Sequence, residues 1–354
     1  MGERMSIARS NARTHRFATS SSSSSRTTWN GMKKSRDAAR TLRSASARAS
    51  EKHAAVITGA NTGIGYETAA ALVRSNAFDV IVLACRDEGK GKKAVEKLRL
   101  SATANGTTVM TLALDLCSLK SVRACAEALN GIAGEEGIDC LINNAGVMAI
   151  GEYTKTEDGF ETQVGTCHLG HYALTAGLMP ALARAAKKRG EARVVTVSSE
   201  AHRFAVKGMN REDLFGEREY SPWGQYGQAK LANVLFAFEL ERRCAKAKNG
   251  VSSSVLHPGA VDTELGRYLQ PPDAEVKWWQ KALYDFIRVN FLKTPEQGAM
   301  TSVFLANEVA KGISNGKYYA DCKEKTPAKP ALSLEEAEWL WKRSAELTGV
   351  SFDI

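Results

Sequence analysis

Thr58-Gly59-Ala60-Asn61-Thr62-Gly63-Ile64-Gly65 lies between the apolar run Ala54-Ala55-Val56-Ile57 and a segment, Tyr66 to Val73, in which apolar residues and alanines recur at helical spacing. That order predicts a buried strand, a turn carrying three glycines and the start of a helix. Glycine suits the turn because it takes positive φ, lets the backbone approach a ligand and allows the helix to pack closely on the strand. The free N–H groups and positive dipole end of the helix then face an anion, so the stretch reads as a phosphate cradle. Glycines also mark ordinary loops; the flanking strand and helix give this triplet its meaning.

Outward from the turn, strand-like and helical runs alternate from about Lys52 onward. Asp79 to Cys85, Thr107 to Leu114, Ile138 to Asn143, Ala192 to Ser198, Val251 to His257 and Lys317 to Ala320 follow the first strand. Several are continuously apolar, as strands are when helices cover both faces of a parallel sheet. The alternation predicts one α/β domain over residues 52–354, a doubly wound, mostly parallel, Rossmann-like sheet. Thr294-Pro295-Glu296-Gln297 and Ser333-Leu334-Glu335-Glu336 each read as a capping box opening a helix.

The 354-residue chain is 44% hydrophobic, enough for a substantial core. Its net charge of +9 is confined to one end: residues 1–50 hold 11 Lys and Arg against 2 Asp and Glu, whereas the remainder holds 37 of each sign. The folded part is therefore neutral, and nucleic acid is not expected as a partner. Residues 1–50 also carry 12 serines, a composition that builds no core. Rich in Arg and Ser and poor in acid, residues 1–51 read as an organelle transit peptide, with serine abundance favouring a plastid over a mitochondrion. A disordered tail or a misjudged start codon is the alternative, and the protein is then cytoplasmic. Seven cysteines without a CxxC pair fit a reducing compartment. No run of about 18 apolar residues occurs.

Three further places carry chemistry. After the second strand, Arg86 stands near the point where a dinucleotide site places an acid on the ribose 2′-hydroxyl; an arginine there pairs with a 2′-phosphate, pointing to NADP over NAD. Lys90, Lys92 and Lys93 add to that field or form the exposed face of the next helix. Tyr226 and Lys230, four apart ahead of the apolar helical run Leu231 to Leu240, project from one helix face. The ammonium is expected to favour the phenolate and to bring the tyrosine pKa down from near 10 toward working pH. Tyr319 and Lys323 share the spacing, but on a late strand followed by prolines. Ser198-Ser199 closes a strand at the carboxyl end, where open α/β sheets place ligands, and a hydroxyl there can hold a carbonyl oxygen; a helix cap is the bland alternative.

Together these motifs resemble the short-chain dehydrogenase/reductase family over about residues 53 to 347. They are TGANTGIG at 58–65, Asp115-Leu116, Asn143-Asn144-Ala145-Gly146, Ser198-Ser199, Tyr226-Gly227-Gln228-Ala229-Lys230 and His257-Pro258-Gly259-Ala260-Val261-Asp262-Thr263. The resemblance implies an NADP(H)-dependent enzyme with Ser199 orienting a carbonyl, Tyr226 donating the proton and Lys230 activating the tyrosine and binding the ribose. It places Gly59, Asn61, Thr62, Gly63, Ile64 and Gly65 on the pyrophosphate, Arg86 on the 2′-phosphate, Asp115 and Leu116 at the adenine, and Asn143, Ala145 and Gly146 in the cleft. Pro258, Gly259, Val261 and Thr263 look like the nicotinamide-side loop, and no metal is implied. Within the family, YGQAKLANVLFAFELERR, SSEAHRF and GKYYADCKEKTPAKP are similar to the retinol dehydrogenase group, which implies a lipophilic carbonyl or alcohol substrate. Light-dependent protochlorophyllide reductase is a neighbour, but it usually has cysteine where this chain has Ala260.

Cys167-His168-Leu169-Gly170 departs from the family's Asn-His-Leu-Gly, whose asparagine helps hold a water that relays protons to the lysine. Cys167 is read as a slower relay, a redox-sensitive thiol, or a sign of an NADPH-binding sensor with lost catalysis. His168 and His171 have no third ligand spaced near them, so a structural role is expected. Val276 to Phe291 reads as an amphipathic helix, either a lid over a lipophilic substrate with peripheral membrane contact or an added packed helix. The apolar helix after Tyr226 resembles the pairing face of homodimeric relatives.

Overall fold

The computed structural model describes residues 52–262, 292–307 and 315–354. The transit peptide read over 1–51, Thr263 and the helix read over 276–291 lie outside the described residues. All seven runs read as strands form strands: β1 (Ala54–Thr58), β2 (Val80–Cys85), β3 (Thr108–Ala113), β4 (Cys140–Asn143), β5 (Ala192–Val197), β6 (Val251–Leu256) and β7 (Tyr318–Ala320). An eighth, β8 (Lys323–Lys325), completes a single sheet ordered β3-β2-β1-β4-β5-β6-β7-β8. β1 to β7 are parallel and β8 alone runs antiparallel, joined to β7 through Asp321 and Cys322 at φ 51° and 57°. That hairpin settles the second Tyr-Lys spacing: Tyr319 pairs with Glu324 and Lys323 with Ala320, so the two share no helix face.

The helices are α1 (Gly63–Ser75), α2 (Glu88–Ala104), α3 (Leu119–Ala133), α4 (Gly170–Arg189), α5 (Pro222–Ala247), α6 (Pro295–Ala306) and α7 (Leu334–Thr348). Apolar side chains from α1, α2 and α6, among them Leu72, Val73, Leu98 and Leu305, cover one face of the sheet against Ile57, Leu83 and Ile142. On the other face Val122, Leu129, Leu174, Leu178 and Phe236 of α3, α4 and α5 pack on Val56, Leu141 and Val194. This two-sided cover explains why β1, buried at all five residues, carries no alternation, and each fully buried Leu, Ile or Val of this kind stabilises the fold by roughly 1.5–3 kcal/mol.

Strand order reverses at β1, with β2 on one side and β4 on the other, so the carboxyl ends of β1 and β4 open a crevice. The Gly59 turn leaves the first and Asn144-Ala145-Gly146 the second. Thr294 and Gln297 form the reciprocal box expected at α6. At α7 only half forms: the Ser333 hydroxyl accepts from the Glu336 N–H at 3.2 Å, but the Glu336 carboxylate turns to the Met209 N–H at 3.0 Å and to Arg211 at 2.7 Å. The apolar residues after Tyr226 are consumed inside the chain, where Leu231, Val234 and Leu235 of α5 pack against Ala337 and Leu340 of α7.

Candidate active site

The crevice is a cleft of about 310 Å³ lined by Gly59, Asn61, Thr62, Gly63, Ile64 and Gly65 of the glycine turn, Arg86, Asp87 and Lys90 beyond β2, Asp115, Leu116 and Cys117 beyond β3, and Asn144, Ala145, Gly146, Val147 and Thr166. Gly59 and Gly63 take φ 65° and 56°. A Cβ on Gly65 would stand 2.5 Å from the Gly59 carbonyl and from Asn144 Nδ2, so α1 packs this closely only with glycine there. Thr62 caps α1 without a side-chain bond and no acid occupies the first turn, which leaves the helix N–H groups facing the cleft. Arg86 is exposed and forms no ion pair among the described residues. Asp115 accepts from the Cys117 N–H at 2.9 Å.

Asn143 sits apart from its neighbours in the motif. It is fully buried, donates to Thr175 Oγ1 at 3.0 Å and does not line the cleft, whereas Asn144 does. The turn that follows hangs on Thr58, which opens the glycine stretch and to which the sequence assigned no role of its own. Its Oγ1 accepts from the N–H groups of Asn144 and Ala145, both at 2.9 Å, and meets His171 Nε2 at 2.9 Å. His171 Nδ1 lies 3.0 Å from the Cys167 carbonyl and must donate to it, so Nε2 accepts the Thr58 proton. Burial pushes the imidazole down to about 4 and keeps it neutral. His168 bonds Ser344 Oγ at 2.8 Å and is pushed down to about 3, and no metal-binding cluster occurs among the described residues.

Cys167 lies in a π-turn, Gly165–Leu169, that leads into α4. Its sulfur accepts from the Val147 N–H at 3.5 Å and donates to the Val147 carbonyl at 3.4 Å, bridging both backbone groups as an amide would. The thiol is wholly buried and burial pushes its pKa up, the opposite of what a redox-sensitive thiol needs. Gly146 separates it from the lysine: a Cβ there would stand 3.3 Å from Cys167 Sγ and 3.5 Å from Lys230 Nζ.

Beyond Gly146, and not among the residues that line the cleft, stand Tyr226 and Lys230, both 3% exposed, on α5. Lys230 Nζ donates to the Val197 carbonyl at 3.1 Å and lies 5.7 Å from the Tyr226 ring centre. The two serines divide their work: Ser198 Oγ donates to the Lys230 carbonyl at 2.7 Å and ties β5 to α5, while Ser199 reaches the Tyr226 phenol. The expected lowering of the tyrosine pKa is not what results. Burial pushes the phenol up, and although Lys230 and the nearby Ser199 hydroxyl pull it down, the net direction is upward. Sequence spacing reveals the ammonium but not the desolvation.

Pro258, Gly259 and Val261 follow β6. The Lys293 N–H donates to the Ala260 carbonyl at 2.8 Å and Lys293 Nζ to that of Pro258 at 3.2 Å. A Cβ on Gly298 of α6 would stand 2.8 Å from Val261 and 3.3 Å from Ile64, so this loop lies beside the glycine turn.

Residues 53–211 match the short chain dehydrogenase family, and retinol dehydrogenase 14 of Mus musculus is 40% identical over 304 residues, 83% of this chain and 85% of that one. The chain belongs to the short-chain dehydrogenase/reductase family, whose members are oxidoreductases that bind nicotinamide cofactors. Within it the chain is retinol dehydrogenase-like. Retinol dehydrogenase 12 of Mus musculus is 40% identical over 298 residues, 84% of this chain and 87% of that one. A crystal structure of an uncharacterised protein from Mycobacterium paratuberculosis shares 32% identity at a TM-score of 0.65, covering 86% of this chain and 95% of that one.

Proposed function

We propose that the chain transfers a hydride between NADP(H) and a lipophilic carbonyl or alcohol. The convergence of Tyr226, Ser199 and Lys230, with Lys230 directly behind the cleft residue Gly146, carries this reading. Features of the cleft fit the dinucleotide: an uncapped helix start, glycines at positive φ, and a buried lysine with donors to spare after its bond to Val197. Arg86 and Lys90 supply positive charge beyond β2, where a 2′-phosphate would sit.

The bound nicotinamide supplies or receives the hydride. In reduction the Ser199 hydroxyl holds the carbonyl oxygen, the Tyr226 phenol gives that oxygen its proton, and the Lys230 ammonium stabilises the phenolate left behind. In oxidation the phenolate takes the proton back from the alcohol. A phenol pushed up by burial keeps its proton at neutral pH, the form that carbonyl reduction uses. Trp223 lies edge-on to Tyr226 at 6.1 Å and Phe204 edge-on to Trp223 at 6.1 Å; they are 42% and 58% exposed, an apolar surface beside the reacting phenol. The relatives' name, retinol dehydrogenase, fits such a surface.

Retinal, other aldehydes, quinones and steroids, assayed with NADPH and NADH, test the reading. Carbonyl-dependent oxidation of NADPH is expected, with NADH at least about tenfold poorer. A protein that binds NADPH tightly and oxidises it with none of these would be a sensor instead.

A further inference from the structure

His202 follows Ser199 by three residues in a short 3₁₀ turn, Glu200–Phe204, and is wholly buried. Its Nε2 lies 2.9 Å from the Ala328 N–H, and its Nδ1 lies 2.7 Å from the Ser199 carbonyl. An amide N–H only donates, so Nε2 is bare; a carbonyl only accepts, so Nδ1 carries the proton. The ring is therefore neutral in one fixed tautomer, in agreement with the downward push that burial gives its pKa. Through this ring the backbone of Ser199 is tied to Ala328, which lies 126 positions beyond His202 in the chain.

A second imidazole stands opposite in the reverse tautomer. His257 Nδ1 accepts from the Gly259 N–H at 3.2 Å, and its Nε2 faces Glu200 Oε1 at 3.1 Å. The two rings flank Tyr318, with centres 5.2 Å from it on the His202 side and 5.6 Å on the His257 side. His257 thus links the first residues of the Pro258–Val261 loop to Glu200, the residue directly after Ser199.

We propose that His202 is a positioning residue for Ser199, with His257 as the second prop, and that together they set the serine hydroxyl relative to Tyr226 and the Pro258–Val261 loop. The proposal rests on the reading of Ser199 as the carbonyl-holding group. A proton added to His202 would fall on Nε2, opposite the Ala328 N–H; one added to His257 would fall on Nδ1, opposite the Gly259 N–H. Either event breaks a link and leaves Ser199 less firmly placed. The groups that face these rings are Glu200 and Arg203 of the 3₁₀ turn, Tyr318 of β7, Asp321 of the hairpin and Lys293 before α6. Of these, Glu200 and Asp321 favour protonation and Arg203 and Lys293 oppose it.

The test uses the full chain with NADPH and the best carbonyl from the panel. Wild-type turnover, and its loss in Tyr226→Phe, first establish the enzyme reading independently of the brace. His202→Leu, which removes both links, is then expected to lower kcat about tenfold while NADPH affinity stays within about twofold. In wild type kcat is expected to fall reversibly on the acid side, and in His202→Gln, which cannot titrate, that acid limb weakens or disappears. An unchanged kcat in His202→Leu overturns the proposal, as does an acid limb in His202→Gln identical to that of wild type. Should His202→Leu fail to fold, the comparison of wild type with His202→Gln decides.

Discussion

Tyr226 stands under two opposed influences that a sequence weighs unequally. Four-residue spacing puts Lys230 beside it, and that ammonium favours the phenolate; but the phenol is 3% exposed, and desolvation outweighs the lysine. The phenolate needed for alcohol oxidation is therefore scarce at neutral pH. The oxidative rate is expected to rise with pH across the accessible range, while the reductive rate, which uses the protonated phenol, does not. Lys230→Met removes the principal lowering influence, so it should suppress oxidation at pH 8 more than reduction at pH 6. Initial rates in both directions check this, and a lysine variant that slows both equally would contradict it. On the proposed reading of Arg86 as the 2′-phosphate partner, Arg86→Glu should lower the preference for NADPH over NADH by at least about tenfold, since it puts a like charge there. Much of this was legible, because glycines, the Tyr-Lys pair and Arg86 announce themselves by type and spacing. The role of the Thr58 hydroxyl did not, since its partners Asn144, Ala145 and His171 lie 86 to 113 residues away. Asn143 and Asn144 are also inseparable on paper; the first is the buried last residue of β4 and the second begins the turn that lines the cleft.

The helix that carries Cys167 begins at a buried acid. Glu161 is wholly buried, accepts from the N–H groups of Gln163 and Val164 at 2.8 Å each, and burial pushes its carboxyl up to about 7. Between pH 4.5 and about 7 the folded chain holds a proton that the unfolded chain has released, so this group makes stability fall as pH rises through that window. The full effect is on the order of 3 kcal/mol. Glu161→Gln cannot contribute to that fall. Urea midpoints at pH 5 and pH 8 should show wild type losing more stability than the variant, and parallel losses would contradict the assignment. At the glycine turn, Gly65→Ala would press a methyl to 2.5 Å from the Gly59 carbonyl. Such overpacking costs about 1–3 kcal/mol and should also weaken NADPH binding, measurable by thermal shift and fluorescence titration. The strand-turn-helix unit was read correctly because periodicity and glycine act within a few residues. The half-formed box at Ser333 was not, since Glu336 is drawn off by Met209 and Arg211, more than a hundred positions away.

Across the whole molecule, the C-terminal helix closes the fold over the catalytic one. Trp341 of α7 stacks on Phe236 of α5 at 5.9 Å, meets Tyr172 of α4 at 5.3 Å and Phe352 at 4.4 Å, and lies under Arg243 at 4.6 Å. Truncating this largely buried ring in Trp341→Ala should cost about 3–5 kcal/mol and loosen the helix that carries Tyr226. The apolar stripe of α5 is legible as a face that needs a partner, but composition does not say whether another chain or this one supplies it. Here α7 does. The proposed function makes a single demand on fold and site, that the Tyr226 phenol be the group that hands over the proton. Tyr226→Phe keeps the ring and its packing and removes only the hydroxyl. Carbonyl reduction should drop at least about a hundredfold, while NADPH affinity from fluorescence titration stays within a few-fold. Turnover persisting near the wild-type rate in a variant that still binds NADPH would contradict the account.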